Sequence, residues 1–248
     1  MKRLATLALI AVIPAMSIAD ERPYAFTYEP VTPAQGEVEL EVYETLYQPR
    51  TGGSASRNWV HQLEAGYGVT DRFDLGAYAV FRTTPTTSFE AAAFKLRGRY
   101  KLLGQEAPLE LVLYLEVEKE IVDDQPLIFE EKVIFGSTSG RLTWAANLIA
   151  EQEIPKGGGT ALQFGWSAGA AFELVRGLRF GAETFGSRAG DLDGPGVWQA
   201  WAGPSGSVLL PFLARGSINS SWLTVGVGFG LNQASDQIRA RAILGCDF

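Results

Sequence analysis

The stretch Phe94–Glu120, FKLRGRYKLLGQEAPLELVLYLEVEKE, decides the fold. In its first half Phe94, Leu96, Gly98, Tyr100 and Leu102 share one face, and Lys95, Arg97, Arg99 and Lys101 share the other. After the turn Gly104-Gln105-Glu106-Ala107-Pro108 the alternation resumes. Leu109, Leu111, Leu113, Leu115 and Val117 face one way, while Glu110, Val112, Tyr114, Glu116, Glu118 and Glu120 face the other. Side chains leave a strand on alternate sides, so a period of two means strands. Pairing about the turn is expected to set Lys101 opposite Glu110 and Lys95 opposite Glu116, because opposite charges facing across strands stabilise a register. The apolar face fits the core of a soluble sandwich. It fits equally the lipid face of a membrane barrel whose charges line a wet lumen.

The ends of the chain choose between these. Lys2 and Arg3 precede the apolar run Leu4–Ala15, and Ser17-Ile18-Ala19 offers small residues before a cut. This is the pattern of a secretory signal peptide, expected to end at Ala19. No cysteine follows the cut to carry a lipid. Without residues 1–19 the chain has 19 cationic and 28 acidic residues, a poor balance for neutralising nucleic-acid phosphates. A single cysteine, Cys246, allows no intrachain disulfide. No later segment has the roughly 20 apolar residues of a membrane helix. The 28 glycines and frequent turn signals favour strands.

Residues 20–34 contain Pro23, Pro30 and Pro33 and read as an extended periplasmic lead-in; residues 35–248 read as the barrel. Alternating segments follow one another, among them Glu37–Tyr47, Trp59–Val69, Phe73–Phe81, Leu142–Glu153, Leu162–Phe172 and Trp222–Leu231. Two places depart from the pattern. Glu131 falls on an apolar face, which requires a position near a rim, and Val197–Val208 carries Pro204, a residue confined to strand edges, ends or bulges. Counting yields twelve strands. The connections alternate between a mostly short set, such as Thr70–Arg72 and Val175–Gly177, and a longer polar set, such as Gln48–Arg57 and Ser187–Gly196. That asymmetry predicts a transmembrane antiparallel up-and-down β-barrel with both termini periplasmic. Closure of the last strand on the first is expected to pair Arg241 with Glu39 and Arg239 with Glu41, and Leu40 with Ala240 and Val42 with Ile238.

These features resemble Gram-negative outer-membrane β-barrel proteins. The final strand, Gln237–Phe248, alternates and ends in an aromatic residue, which looks like the signal read by the outer-membrane assembly machinery. More narrowly, GYGVTDRFDLGAY (Gly66–Tyr78) is similar to a strand–turn–strand of small barrels described as transporters, including those associated with phenol meta-pathway degradation. The resemblance implies a bacterial outer-membrane location, lipid and the assembly machinery as partners, and no catalytic residues.

Three functions are open to such a barrel. The first is a passive pore or small-solute transporter. Its lumen would be lined by Lys95, Arg97, Arg99, Lys101, Arg239 and Arg241 against Glu39, Glu41, Glu110, Glu116 and Glu118, as charged linings set selectivity. The same charges can instead pair and plug the interior. The second is a lipid hydrolase. His61, the one histidine, shares the face of Trp59 and Leu63 near the outer rim, but no serine is placed beside it as a nucleophile. The third is an adhesive barrel working through Gln48–Arg57 and Ser187–Gly196. The pore is the leading expectation, with no enzymatic activity and no cofactor. Lys156-Gly157-Gly158-Gly159 opens no helix and is no phosphate cradle. Asp191 and Asp193 lack the spacing of a calcium loop, and one histidine with one distant cysteine makes no metal site. Cys246 falls on the lipid face.

Overall fold

The computed structural model describes residues 22–122, 124–157, 159–189 and 196–248. The expected signal peptide, Asp191 and Asp193 lie outside those residues. Twelve strands follow in order: β1 (Val38–Gln48), β2 (Asn58–Thr70), β3 (Phe73–Thr83), β4 (Glu90–Leu103), β5 (Glu110–Glu120), β6 (Leu127–Ser139), β7 (Leu142–Ile154), β8 (Ala161–Val175), β9 (Leu178–Ala189), β10 (Val197–Leu209), β11 (Ser220–Gly230) and β12 (Ile238–Asp247). Each pairs antiparallel with its chain neighbours, and β1 pairs with β12, so the sheet closes into a barrel with no free edge. Closure satisfies every strand from both sides, which a sheet in lipid requires.

The period-two pattern divides inside from outside as expected. Leu96 on β4 is 67% exposed on the outer wall, whereas Val112, on the charged face of β5, is 0% exposed inside. The outer face is an apolar band that includes Leu63, Leu75, Leu115, Leu148 and Phe180. Glu131 is on this outer face four residues into β6, where Gln152 donates a hydrogen bond to it. Pro204 lies where the β10–β11 ladder lapses: Ala202 pairs with Phe229 and Ser205 with Gly226, leaving Gly203 and Pro204 out. One end of the barrel carries the short turns and the 210–219 connection; the other carries the longer loops.

Three expectations are corrected. In the β4–β5 hairpin Lys95 faces Glu118, Arg97 faces Glu116 and Lys101 faces Val112, two residues away from the expected register, with a shift between Lys101 and Leu103. Ala107 N–H closes a turn on the Gly104 carbonyl, and Pro108 has no N–H to give, so pairing begins only at Leu103 and Leu111. At the closure, Arg241 faces Thr45 and Arg239 faces Tyr47, while Glu39 faces Asp247; Leu40 meets Cys246 and Val42 meets Leu244. The faces match as expected but the register lies six residues away, because the two strands pair along their full lengths and Val38 and Phe248 exchange backbone hydrogen bonds. Finally, residues 22–34 are no lead-in below the barrel. They run inside it.

Candidate functional site

Residues 22–34 form a loop that enters at the short-turn end and reaches the middle of the lumen. Pro23, Pro30 and Pro33 cannot complete a ladder, so the segment cannot become a thirteenth strand. Its polar backbone is satisfied by side chains of the wall instead. The Glu183 carboxylate on β9 accepts three backbone N–H groups at the tip, from Ala25, Phe26 and Thr27, each at 2.8 Å. Asn147 on β7 accepts from Tyr28 N–H at 2.8 Å and donates to its carbonyl at 2.9 Å. The Tyr24 hydroxyl donates to the Thr143 carbonyl at 2.7 Å, and Arg241 donates to the Ala25 carbonyl at 3.1 Å. The wall leaves room for the loop: a Cβ on Gly169 would lie 2.7 Å from the Tyr24 ring, and one on Gly226 2.6 Å from the Ala25 Cβ. Burial followed by Glu29 and Glu183 pushes the Tyr24 hydroxyl's pKa up, so it stays a donor.

Beside this loop lies a layer of paired charge. Arg22 donates to Glu41 at 2.7 Å and also contacts the Tyr43 hydroxyl, which lies 2.6 Å from Glu41 and 2.7 Å from Glu64. Arg97 bridges Glu64, at 2.5 Å, and Asp74. Arg99 pairs with Asp74 at 2.9 Å. All these side chains are buried. Burial opposes the Arg22 charge, but Glu41 and its neighbours outweigh it and hold the guanidinium's pKa above its usual value. The carboxylates of Glu39, Glu41 and Glu64 come within 4.8 Å of one another, as in a cation site. Here Arg22 and Arg97 provide the positive charge.

The loop separates two vestibules. One, of about 630 Å³ at the short-turn side, is bounded by Pro23, Glu29, Pro30, Glu110, Ser137 and Arg179. The other, of about 260 Å³ on the long-loop side, meets Phe26 and Tyr28 of the loop and is lined by Lys95, Lys132, Arg239, Arg241, Glu116 and Glu130, with further aromatic rings. The cations there lie over those rings. Arg239 is 3.6 Å from the Trp201 centroid, Lys132 is 4.3 Å from both Tyr28 and Tyr114, and Arg241 is 5.0 Å from Phe26. Lys95 bridges Glu116 at 3.0 Å and Glu118 at 2.7 Å. Arg239 pairs with Asp236 at 3.1 Å, but Arg241 makes no ion pair among the described residues and bonds to Thr45.

Of the residues expected in the lumen, Glu39, Glu41, Lys95, Arg97, Arg99, Glu110, Glu116, Glu118, Arg239 and Arg241 lie on the inner face, in three groups. Arg97 and Arg99 belong to the layer of paired charge with Glu39 and Glu41; Lys95, Glu116, Glu118, Arg239 and Arg241 belong to the long-loop side; Glu110 lines the short-turn vestibule. Lys101 pairs with Val112 near the short-turn end of β4. The expectation missed Glu64, Asp74, Asn147 and Glu183, although each falls in phase with inward positions. It also missed the loop, whose signal was Tyr24, Phe26 and Tyr28 alternating in a segment with no strand partner.

His61 stands on the outer face near the long-loop rim, as its phase implied. Its Nδ1 is 2.6 Å from Glu44 and its Nε2 is 3.2 Å from the Thr83 hydroxyl. The ring is flanked by Trp59 and Phe89, with centroids 6.4 and 5.1 Å away.

No protein family and no curated protein matches the sequence. Solved structures do match the fold. The COG4313 outer membrane channel from Pseudomonas putida F1 aligns with a TM-score of 0.60 at 12% identity, covering 88% of this chain and 97% of that one. The NanC porin aligns at 0.56 and 9% identity, covering 84% and 98%. The KdgM porin in complex with disordered oligogalacturonate aligns at 0.54 and 8% identity, covering 86% and 98%. The class is therefore the closed antiparallel β-barrel, the fold that these outer-membrane proteins share with this chain. Within that class the chain has the twelve-strand form, with its own N-terminal residues in the lumen.

Proposed function

We propose that this protein is a passive outer-membrane pore for small solutes, and that it conducts when residues 22–34 leave the lumen. The observation that carries the reading is the Glu183 carboxylate holding three consecutive backbone N–H groups of that loop between two vestibules. A wall side chain that grips backbone binds the segment by position and can let it go without unfolding a strand. We orient the short-turn end toward the periplasm, where Phe248 of β12 would be read by the assembly machinery. The solute class we infer is small anions, supported by Arg241, which has no ion-pair partner among the described residues, and by Arg239 beside it in the long-loop vestibule. The KdgM porin, similar in fold, is described with oligogalacturonate. We infer the narrower kinship with meta-pathway transporter barrels from Gly66–Tyr78, which forms the end of β2, a turn at Asp71-Arg72 and the start of β3.

Planar-bilayer recording of the wild type and of a variant lacking residues 22–34 tests this. The variant is expected to show larger, more persistent openings, with a reversal potential in a salt gradient that favours anions. A folded deletion variant that never conducts would overturn the pore. It would favour a structural or adhesive barrel plugged by its own charges, among them Arg97, Arg99, Glu64 and Asp74, whose ion pairs join β2, β3 and β4 without the loop.

A further inference from the structure

We propose that Glu44, His61 and Thr83 form an acyl-ester hydrolase site on the lipid face of the barrel, taking a membrane phospholipid as substrate. This is independent of the lumen reading. Charged side chains facing lipid are costly at mid-depth and cheap toward the rims, and this polar cluster sits at the long-loop rim, where an outer wall can keep it. Here three polar side chains from three adjacent strands converge in one line. The strands bring them together by register: Glu44 faces His61 across β1 and β2, and Thr83 pairs with Trp59, diagonal to His61, at the end of β3. A carboxylate on one imidazole nitrogen and a hydroxyl on the other is the geometry of an oriented base beside a nucleophile. Trp59 and Phe89 flank the imidazole and limit water around it.

A second feature points to the substrate. An apolar groove of about 750 Å³ runs across the outer faces of β1–β4 and β12. Its floor is made of Ala65, Ala77 and Ala79, between the larger Leu63, Phe94 and Leu244. Leu63 and Ala79 are the next outward residues after His61 and Phe81 toward the short-turn end, so the groove begins beside the polar line. Its far end reaches Leu213 and Ile218 of the 210–219 connection, and its near end, at Leu63 and Ala79, is one outward step from the triad. A phospholipid fits both: its acyl chain in the groove and its ester at Thr83.

The chemistry balances with water alone. The Thr83 oxygen attacks the ester carbonyl carbon as His61 Nε2 takes the hydroxyl proton, with Glu44 holding the imidazolium. The carbon–oxygen bond to the glycerol breaks, and His61 returns the proton to the departing lysolipid. Water then attacks the acyl-threonine through the same base, releasing a fatty acid and restoring Thr83.

The test uses the full folded barrel in phosphatidylethanolamine–phosphatidylglycerol vesicles, with fatty-acid release read by mass spectrometry and folding checked by heat-modifiable mobility. Wild type is expected to release fatty acid and lysolipid in equal amounts. His61→Ala and Thr83→Val, folded, should lose at least about 100-fold, the usual share of a positioned base or more. Thr83→Ser should keep the activity, and Glu44→Gln should lower it and shift its pH profile. Ala79→Phe, which fills the groove, should lower turnover of long-chain more than short-chain lipids. A lipid fluorophosphonate should label the Thr83 peptide in wild type and not in His61→Ala. No release above protein-free vesicles, or equal release by wild type, His61→Ala and Thr83→Val, overturns the proposal. Release only from added lipopolysaccharide, recognised by hydroxylated acids, overturns the choice of phospholipid.

Discussion

Replacing Glu183 by alanine should unlatch the loop without opening the wall. Glu183 lies inside β9, whose backbone pairing with β8 and β10 does not use its side chain. The variant removes three charge-assisted hydrogen bonds at 2.8 Å. Each contributes about 1.5–3 kcal/mol net of water. Taking the low end for three bonds that share one carboxylate, the loop-in state loses about 4 kcal/mol. At 1.4 kcal/mol per tenfold, the in–out equilibrium moves by roughly 10³. The remaining anchors, Arg22 on Glu41 and Asn147 on Tyr28, still favour the inside. Single-channel recording should therefore show a sharp fall in closed dwell time, approaching the variant lacking residues 22–34. Glu183→Gln keeps an acceptor oxygen without its charge and should fall between. A Glu183→Ala record identical to wild type, while the deletion opens, would refute Glu183 as the latch. If both stayed closed, the loop would not be the barrier at all.

Other outcomes follow from the same geometry. Gly226→Ala puts a Cβ 2.6 Å from the Ala25 Cβ, so it should crowd the loop out of its seat and shorten closed dwell times in single-channel records; unchanged dwell times would contradict the close approach of the loop to β11. Arg97→Met should lower barrel stability by about 3–5 kcal/mol, because it leaves Glu64 and Asp74 short of their buried partner; urea titration of heat-modifiable mobility measures it. Arg239→Glu with Arg241→Glu, in the deletion variant, should move the reversal potential in a salt gradient toward cation selectivity. Reversing Glu39 and Glu41 as well should not rescue any loss of stability, since the registers lie six residues apart; a measurable rescue would contradict the β1–β12 pairing.

The strand count, the two faces and closure of β12 on β1 were legible in the sequence, because each follows from the alternation of neighbouring residues. The hairpin Phe94–Glu120 shows where that legibility stops. Its faces were determined by period two, and the inner Lys/Arg row does meet the inner Glu row. Which residue meets which was decided by the Ala107–Gly104 turn and the shift after Lys101, and these moved the register by two. At the closure no turn links the strands, so matching charges pointed to Arg241 and Glu39; full-length pairing of backbones put Arg241 beside Thr45 instead. The lumen was the least legible part. Local alternation shows that Glu183, Asn147 and Glu64 face inward but not what meets them. Only the tertiary structure put Ala25–Tyr28 against Glu183 and Asn147, and Tyr43 and Arg97 against Glu64. The anchors on Glu183 and Asn147 span between 119 and 158 residues of chain and go from side chain to backbone, so the segment's own sequence carries no complementary pattern. The sequence by itself determined a barrel with a charged interior. The tertiary structure decided that those charges largely pair and that the remaining passage is filled by residues 22–34, because closing twelve strands leaves a lumen of that width and the prolines keep the segment out of the wall.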